Sequence, residues 1–100
     1  MHFDYVMLAA IDRQTRSLVG ELEFFGASAS LREVFDRPPD VDDGRMMSWG
    51  GVTLEESLRL AACQPFPEDR SDLSESVAAL FAAAPASMFT VYYCDRYHGE

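Results

Sequence analysis

Two cysteines and two histidines are the residues of this chain that could supply a nucleophile or a soft metal ligand: His2, Cys63, Cys94 and His98. A histidine activates a neighbouring thiol by taking its proton, so Cys94 with His98 or His2 would form a nucleophilic dyad. None of the four forms a C-x-x-C or H-x₃₋₅-H pair, the spacings typical of zinc sites. We therefore favour packed thiols and no metal site. A small enzyme or ligand-binding domain, its site between sheet and helices with Trp49 lining the pocket, is the alternative.

The densest group of charged side chains lies between Asp36 and Asp43. Clustered carboxylates suit Ca²⁺ or Mg²⁺, but the EF-hand pattern fails because the twelfth position counted from Asp40 is Gly51 instead of glutamate. We interpret the segment as a solvated acidic loop that is suited to contact a basic partner, and we expect no cofactor.

Other catalytic signatures are missing from the sequence. All eight cations are arginine, which indicates a GC-rich coding bias, and the absence of lysine excludes a Schiff base or a P-loop lysine. Ser48 lacks the first glycine of a nucleophile elbow, and Gly50–Gly51 lacks the spacing of a nucleotide-binding loop. The sequence therefore predicts a protein that is not an enzyme.

The net charge of −9 on 100 residues indicates the type of partner. Its long-range field opposes binding to nucleic acid and to anionic membranes, and it favours a basic protein surface. The longest apolar run, 77–84, is far shorter than the ~20 residues of a membrane span, and no secretory signal is recognised. We expect a cytoplasmic protein, monomeric or homodimeric.

The periodicity of apolar residues predicts the elements that must position these side chains. Two strands, 3–12 and 17–25, form a hairpin, and a last strand spans 87–95. A short edge strand is expected at 45–49. Helices are predicted at 31–36, 54–63 and 73–84, each after a box-like cap at Ser30, Thr53 or Asp72.

These elements predict a single α+β domain over residues 1–100, in the order ββα(β)ααβ. A small antiparallel or mixed sheet would carry two or three helices on one face. The first strand, apolar on both sides, would be central, between its hairpin partner and the last strand. Gly20 marks a bulge or a close neighbour.

Alternation along the strands identifies the side chains available to a partner. Glu21 and Glu23 share one face of the second strand with Val19 and Phe25, and Tyr92 must point away from the face that Tyr93 occupies. The predicted partner-binding residues are Asp36, Asp40, Asp42, Asp43, Glu21, Glu23 and Tyr92.

The function expected from size and charge is stoichiometric inhibition of a basic, nucleic-acid-binding protein. Carboxylates on a rigid surface can take the place of phosphates in such a groove. Phage anti-CRISPR and anti-restriction proteins and toxin-immunity proteins act in this way. The comparison with them is an analogy that rests on size and charge alone. A further alternative is a homo-oligomeric structural subunit in which the last strand pairs across a two-fold axis.

Overall fold

Five strands and three helices make up the part of the chain that this computed structural model describes, residues 4–26, 28–64 and 70–94. In chain order they are β1 (Asp4–Asp12), β2 (Leu18–Gly26), α1 (Ser28–Phe35), β3 (Val41–Asp42), β4 (Met46–Trp49), α2 (Leu54–Ala62), α3 (Arg70–Ala83) and β5 (Ser87–Cys94). The α+β class predicted from the sequence is confirmed, and the element order differs from the predicted ββα(β)ααβ by one additional short strand, β3.

The strands form one antiparallel sheet in the order β2-β1-β5-β4-β3. As predicted, β1 lies between its hairpin partner and the last strand. The middle strand, however, is β5, because β3 and β4 extend the sheet on its far side. β4 is not the edge strand we expected, since the two-residue β3 covers it. β5 pairs with β1 along its whole length and with β4 over Val91–Cys94, so the alternative in which the last strand pairs across a two-fold axis finds no fully open edge on β5.

All three helices pack on one face of the sheet, as predicted. Strand alternation sends every second side chain of β1, β4 and β5 into the core against them. Trp49 is fully buried and stacks on Phe35 of α1, with ring centroids 4.7 Å apart. The core residues contributed by the helices are Leu31, Val34, Phe35, Leu60, Ala61 and Val77.

The start of α2 follows the predicted capping box. The Thr53 side chain accepts the Glu56 backbone N–H at 3.1 Å, and the Glu56 carboxylate accepts the Thr53 N–H at 3.0 Å. The other two predicted caps are wrong, because α1 begins before Ser30 and α3 before Asp72. Ala29 and Arg70 are favourable helix formers, so each helix extends upstream. Asp72 then lies in a first turn, where the helix dipole favours a carboxylate.

A bulge in the β1–β2 hairpin changes the direction of two side chains. The register shifts between Ala10 and Ile11, so that Ile11 pairs with Leu18 and Ala10 with Gly20. Leu18 therefore faces away from the helices, whereas the alternation of the sequence placed it with Leu22 on the core side. Val19 instead borders a surface depression beside α3. Gly20 has the close neighbour we predicted, since an added Cβ would lie 2.6 Å from Leu80 Cδ1.

Candidate partner-binding face

The sheet face opposite the helices, which we call the open face, has no element of the described chain packed on it. Cross-strand pairing arranges its side chains in rows, because directly paired residues point to the same side. One row runs from Glu23 through Met7 and Tyr92 to Ser48. Two rows are apolar: one consists of Phe25, Tyr5, Cys94 and Met46, and the other of Leu18, Ile11 and Met88. The open face consists of Tyr5, Met7, Ala9, Ile11, Leu18, Glu21, Glu23, Phe25, Val41, Met46, Ser48, Met88, Thr90, Tyr92 and Cys94.

Large apolar side chains are exposed on the open face. The exposed fractions are 46% for Phe25, 55% for Leu18, 38% for Met88, 47% for Met46 and 56% for Val41. Scattered exposed apolar residues are ordinary, but several together on one flat surface are typical of an interaction site. The open face therefore has the composition of a protein-binding surface.

Three of the predicted partner-binding residues lie together on this face. Glu21 and Glu23 are exposed on β2 opposite Ala9 and Met7, and Tyr92 of β5 pairs with Met7 from the other side. Tyr92 is half-buried, whereas Tyr93 points into the core. The predicted opposition of the two tyrosines is thus confirmed.

Asp40, Asp42 and Asp43 lie at the opposite edge of the sheet, where Asp40 and Asp43 accept hydrogen bonds from nearby backbone N–H groups. Asp43 Oδ1 accepts the Arg45 and Met46 N–H groups at 3.1 and 2.8 Å, and Asp40 Oδ2 accepts the Gly50 N–H at 2.7 Å. Asp43 thus closes the turn between β3 and β4, and Asp40 joins the two ends of that hairpin, before β3 and after β4. Asp36, at the end of α1, is exposed and has a φ of 51°.

Asp42 faces the helix side of β3 and holds Arg32 of α1, with 2.7 Å between Oδ2 and Nη2. The hydrogen bonds from Arg32 and from the Gly44 N–H lower the pKa of the Asp42 carboxyl. Four strand spacings of about 4.8 Å separate β2 from β3, so the two acidic groups lie roughly 19 Å apart. The structure therefore divides the predicted site into two acidic edges with the apolar rows between them.

A cleft at the hairpin end of the open face contains two cations that sequence reasoning did not single out. Arg13 and Arg16 of the β1–β2 loop line it together with Met88 and Tyr92. Asp12 also lines it, and hydrogen bonds from the Thr15 and Gln14 N–H groups lower the pKa of its carboxyl. The bulge lies beside Gly20, where the sequence predicted a bulge or a close neighbour.

The structure corrects the alternative site built around Cys94. Cys94 is half-buried on the open face opposite Tyr5 and Met46, and so does not lie between the sheet and the helices. Trp49 belongs to the core, because it is fully buried against Phe35 and its Nε1 donates to the Arg37 carbonyl at 3.0 Å. His2 and His98 lie outside the described residues. Within the described ranges, no three His, Cys, Asp or Glu side chains come together as a metal site.

Two polar side chains with a structural role were also missed. The buried Tyr93 hydroxyl donates to the Asp4 carboxylate on the core side of the sheet. Gln64, which follows α2 and is almost fully buried, bonds the backbone of Phe25 at the edge of β2. A polar residue just after a helix is no signal for a contact 39 residues away in sequence, so only the fold identifies this bond.

Comparisons with protein-family models, with curated proteins and with solved structures find no match for this chain. None of the described helices is long and apolar enough to cross a membrane.

Proposed function

We propose that this protein is a binding protein that inhibits a basic, nucleic-acid-binding protein by occupying its cationic groove in a one-to-one complex. The observation that carries the proposal is the open face, where exposed apolar side chains lie between two acidic edges. The apolar rows would supply the contact area, and the carboxylates would supply orientation and the choice of a cationic partner.

The position of the acidic residues supports a groove as the target. Glu21 and Glu23 lie on β2, and Asp40 and Asp43 lie beside β3, at the two ends of the strand order. Proteins that bind nucleic acid contact its phosphates through lysine and arginine, and the target we propose is a groove with such cations on both walls. Carboxylates at both edges of a rigid sheet would match such walls, because hydrogen bonds within the loop already fix the Asp40 and Asp43 side chains.

Rigidity of the surface also favours binding to a preformed site. The strands that carry the open face are held from behind by a filled core, so little conformational entropy would be lost on docking. Tyr92 and Phe25 bury large areas with few rotatable bonds, which is why aromatic residues dominate the binding energy of many interfaces.

Capture of the partner from a lysate of the source cells tests this proposal. The immobilised protein should retain one dominant basic protein, and moderate salt should release it, because the attraction between exposed charges is screened. The captured protein should lose its binding to DNA or RNA at equimolar amounts of the inhibitor.

Matched charge reversals separate a defined face from general acidity. E21K/E23K reverses two charges on the open face. E33K/E75K reverses two exposed charges on the helices and so changes the net charge of the protein by the same amount. We expect E21K/E23K to lose the partner and E33K/E75K to keep it, while M88D should weaken capture by placing a charge in the apolar rows. Equal capture by all four proteins would contradict the proposal, as would a captured protein whose nucleic-acid binding is unaffected.

A further inference from the structure

Gln64 bonds the outer edge of β2 as a neighbouring strand would. Its Oε1 accepts the Phe25 N–H at 2.8 Å, and its Nε2 donates to the Phe25 carbonyl at 2.9 Å. The backbone groups of Phe25 therefore point away from β1, although Phe25 pairs with Tyr5 in the ladder. Phe25 and Tyr5 are thus a pair without mutual hydrogen bonds.

The pairing rule of an antiparallel ladder shows which other backbone groups of β2 point outward. Residues directly opposite each other alternate between hydrogen-bonded and non-hydrogen-bonded pairs. The backbone groups of Glu23, opposite Met7, and of Glu21, opposite Ala9, consequently point outward as well. The edge of β5 that faces away from β1 agrees with this alternation. There the Phe89 carbonyl points outward and accepts the Val52 N–H at 2.8 Å.

The outer edge of β2 therefore presents an N–H and a C=O at each of two residues, Glu21 and Glu23. Within the described chain, β2 is the last strand on this side of the sheet. The stretch is bounded at one end by the Gln64 bonds to Phe25 and at the other by the bulge near Gly20. An extended segment can pair with such an edge through its main chain.

Charge determines which segment fits. The side chains of Glu21 and Glu23 lie on the open face, and residues of an incoming strand directly opposite them would lie on that face too. Opposite charges in such positions stabilise pairing and like charges destabilise it. A second copy pairing antiparallel about Leu22 would place Glu21 against Glu23, and pairing about either glutamate would place that residue against itself. The carboxylates thus oppose self-association and favour a basic strand.

We propose that the β2 edge binds an extended basic segment of the partner protein by strand addition, with a lysine or arginine opposite each of Glu21 and Glu23. This inference rests on the proposed function and names the part of the partner that is recognised. The added strand would widen the open face, and the cation opposite Glu23 would lie in the same row as Tyr92.

A capped peptide in which lysine alternates with valine tests the proposal on the full chain. The amide N–H groups of the lysines that lie opposite Glu21 and Glu23 would face β2, and those of the valines would face solvent. N-methylation of the lysine amides should abolish binding, whereas N-methylation of the valine amides should preserve it. In saturating peptide, hydrogen exchange at the Glu21 and Glu23 amides should slow by about tenfold or more.

Protein variants provide the second arm. E21Q/E23Q should weaken peptide binding by about tenfold, through the loss of two cross-strand charge pairs. E33Q/E75Q, which removes the same charge from two helices, should leave binding unchanged. Equal binding of the two methylated peptides would overturn strand addition. The proposal would also be overturned if, without peptide, exchange at the Glu21 and Glu23 amides slows as the protein concentration rises, because the edge would then pair with a second copy.

Failure of this inference is distinguishable from failure of the proposed function. If strand addition is wrong but the function is right, the peptide leaves the Glu21 and Glu23 amides unprotected while E21K/E23K still abolishes capture of the partner. If the proposed function is wrong, capture itself is insensitive to the open face.

Discussion

Arg37 donates to both carboxylate oxygens of Glu56, through Nε to Oε2 at 3.1 Å and through Nη2 to Oε1 at 3.3 Å. The same guanidinium donates to the Gly50 carbonyl at 3.0 Å, and the Arg37 carbonyl accepts from Trp49 Nε1. Because Glu56 also closes the capping box of α2, this pair joins the segment after α1 to the end of β4 and the start of α2.

Removing the Glu56 carboxylate should destabilise the fold. E56A leaves Arg37 without its anionic partner and the Thr53 N–H without its acceptor, so the free energy of unfolding in urea should fall by about 2 kcal/mol. E55A, at the exposed neighbour in the same helical turn, should change it by no more than about 0.5 kcal/mol. Equal effects of the two variants would show that the Arg37 contact contributes nothing.

Stability should also depend on pH through Glu56. Burial alone raises the pKa of this carboxyl, but the hydrogen bonds from Arg37 and Thr53 outweigh it and hold the pKa below 4.5. A carboxyl whose pKa is lowered by folding stabilises the protein above its unfolded pKa and loses that contribution as pH falls through the folded value. Urea titrations should therefore show a loss of stability as pH decreases below about 4.5. The loss should be smaller in E56Q, because glutamine does not titrate; parallel curves for the two proteins would refute the assignment.

The contact between Gly20 and Leu80 should not tolerate a side chain at position 20. G20A places a Cβ 2.6 Å from Leu80 Cδ1, so Leu80 must shift, and the resulting overpacking should cost about 1 kcal/mol of unfolding free energy. In an L80A background the same substitution should cost nothing. G26A is the matched control, because among the described residues its Cβ would meet Val6 Cγ2 at an ordinary contact distance of 3.8 Å. A penalty for G20A that persists in the L80A background would place its origin elsewhere.

Loss of the Gln64 amide should release the edge of β2. Q64L keeps the approximate volume but removes both hydrogen bonds to Phe25, which should lower the unfolding free energy by about 1–2 kcal/mol. Sedimentation should also show more self-association for Q64L than for the wild type, because a longer unpaired edge invites pairing. Q14L, in the exposed β1–β2 loop, should match the wild type in both measurements.

The parts of this fold that could be predicted from sequence are those encoded locally. Alternation defined β1, β2 and β5, and the Thr53–Glu56 box defined the start of α2. β3 was missed because its two residues, Val41 and Asp42, are too few to show the alternation of apolar and polar side chains that identifies a strand.

The candidate site was predicted only in part, for a related reason. Glu21, Glu23 and Tyr92 were found because strand alternation assigns each side chain to a face. The hydrogen bonds of Asp40 and Asp43 depend on turn geometry, and the separation of the two acidic edges depends on strand order. Neither property is a local pattern in the sequence.

The position of β5 has a consequence for how the molecule assembles during synthesis. Each of the two hairpins, β1–β2 and β3–β4, pairs strands that are near neighbours in sequence, whereas the contact between Tyr5 and Cys94 closes a loop of almost the whole chain. Within the described sheet the two hairpins are joined only through β5, which is synthesised last, so during translation their strands form before the sheet can be completed. The flat surface that we assign to partner recognition comes into existence only when the last strand inserts between them.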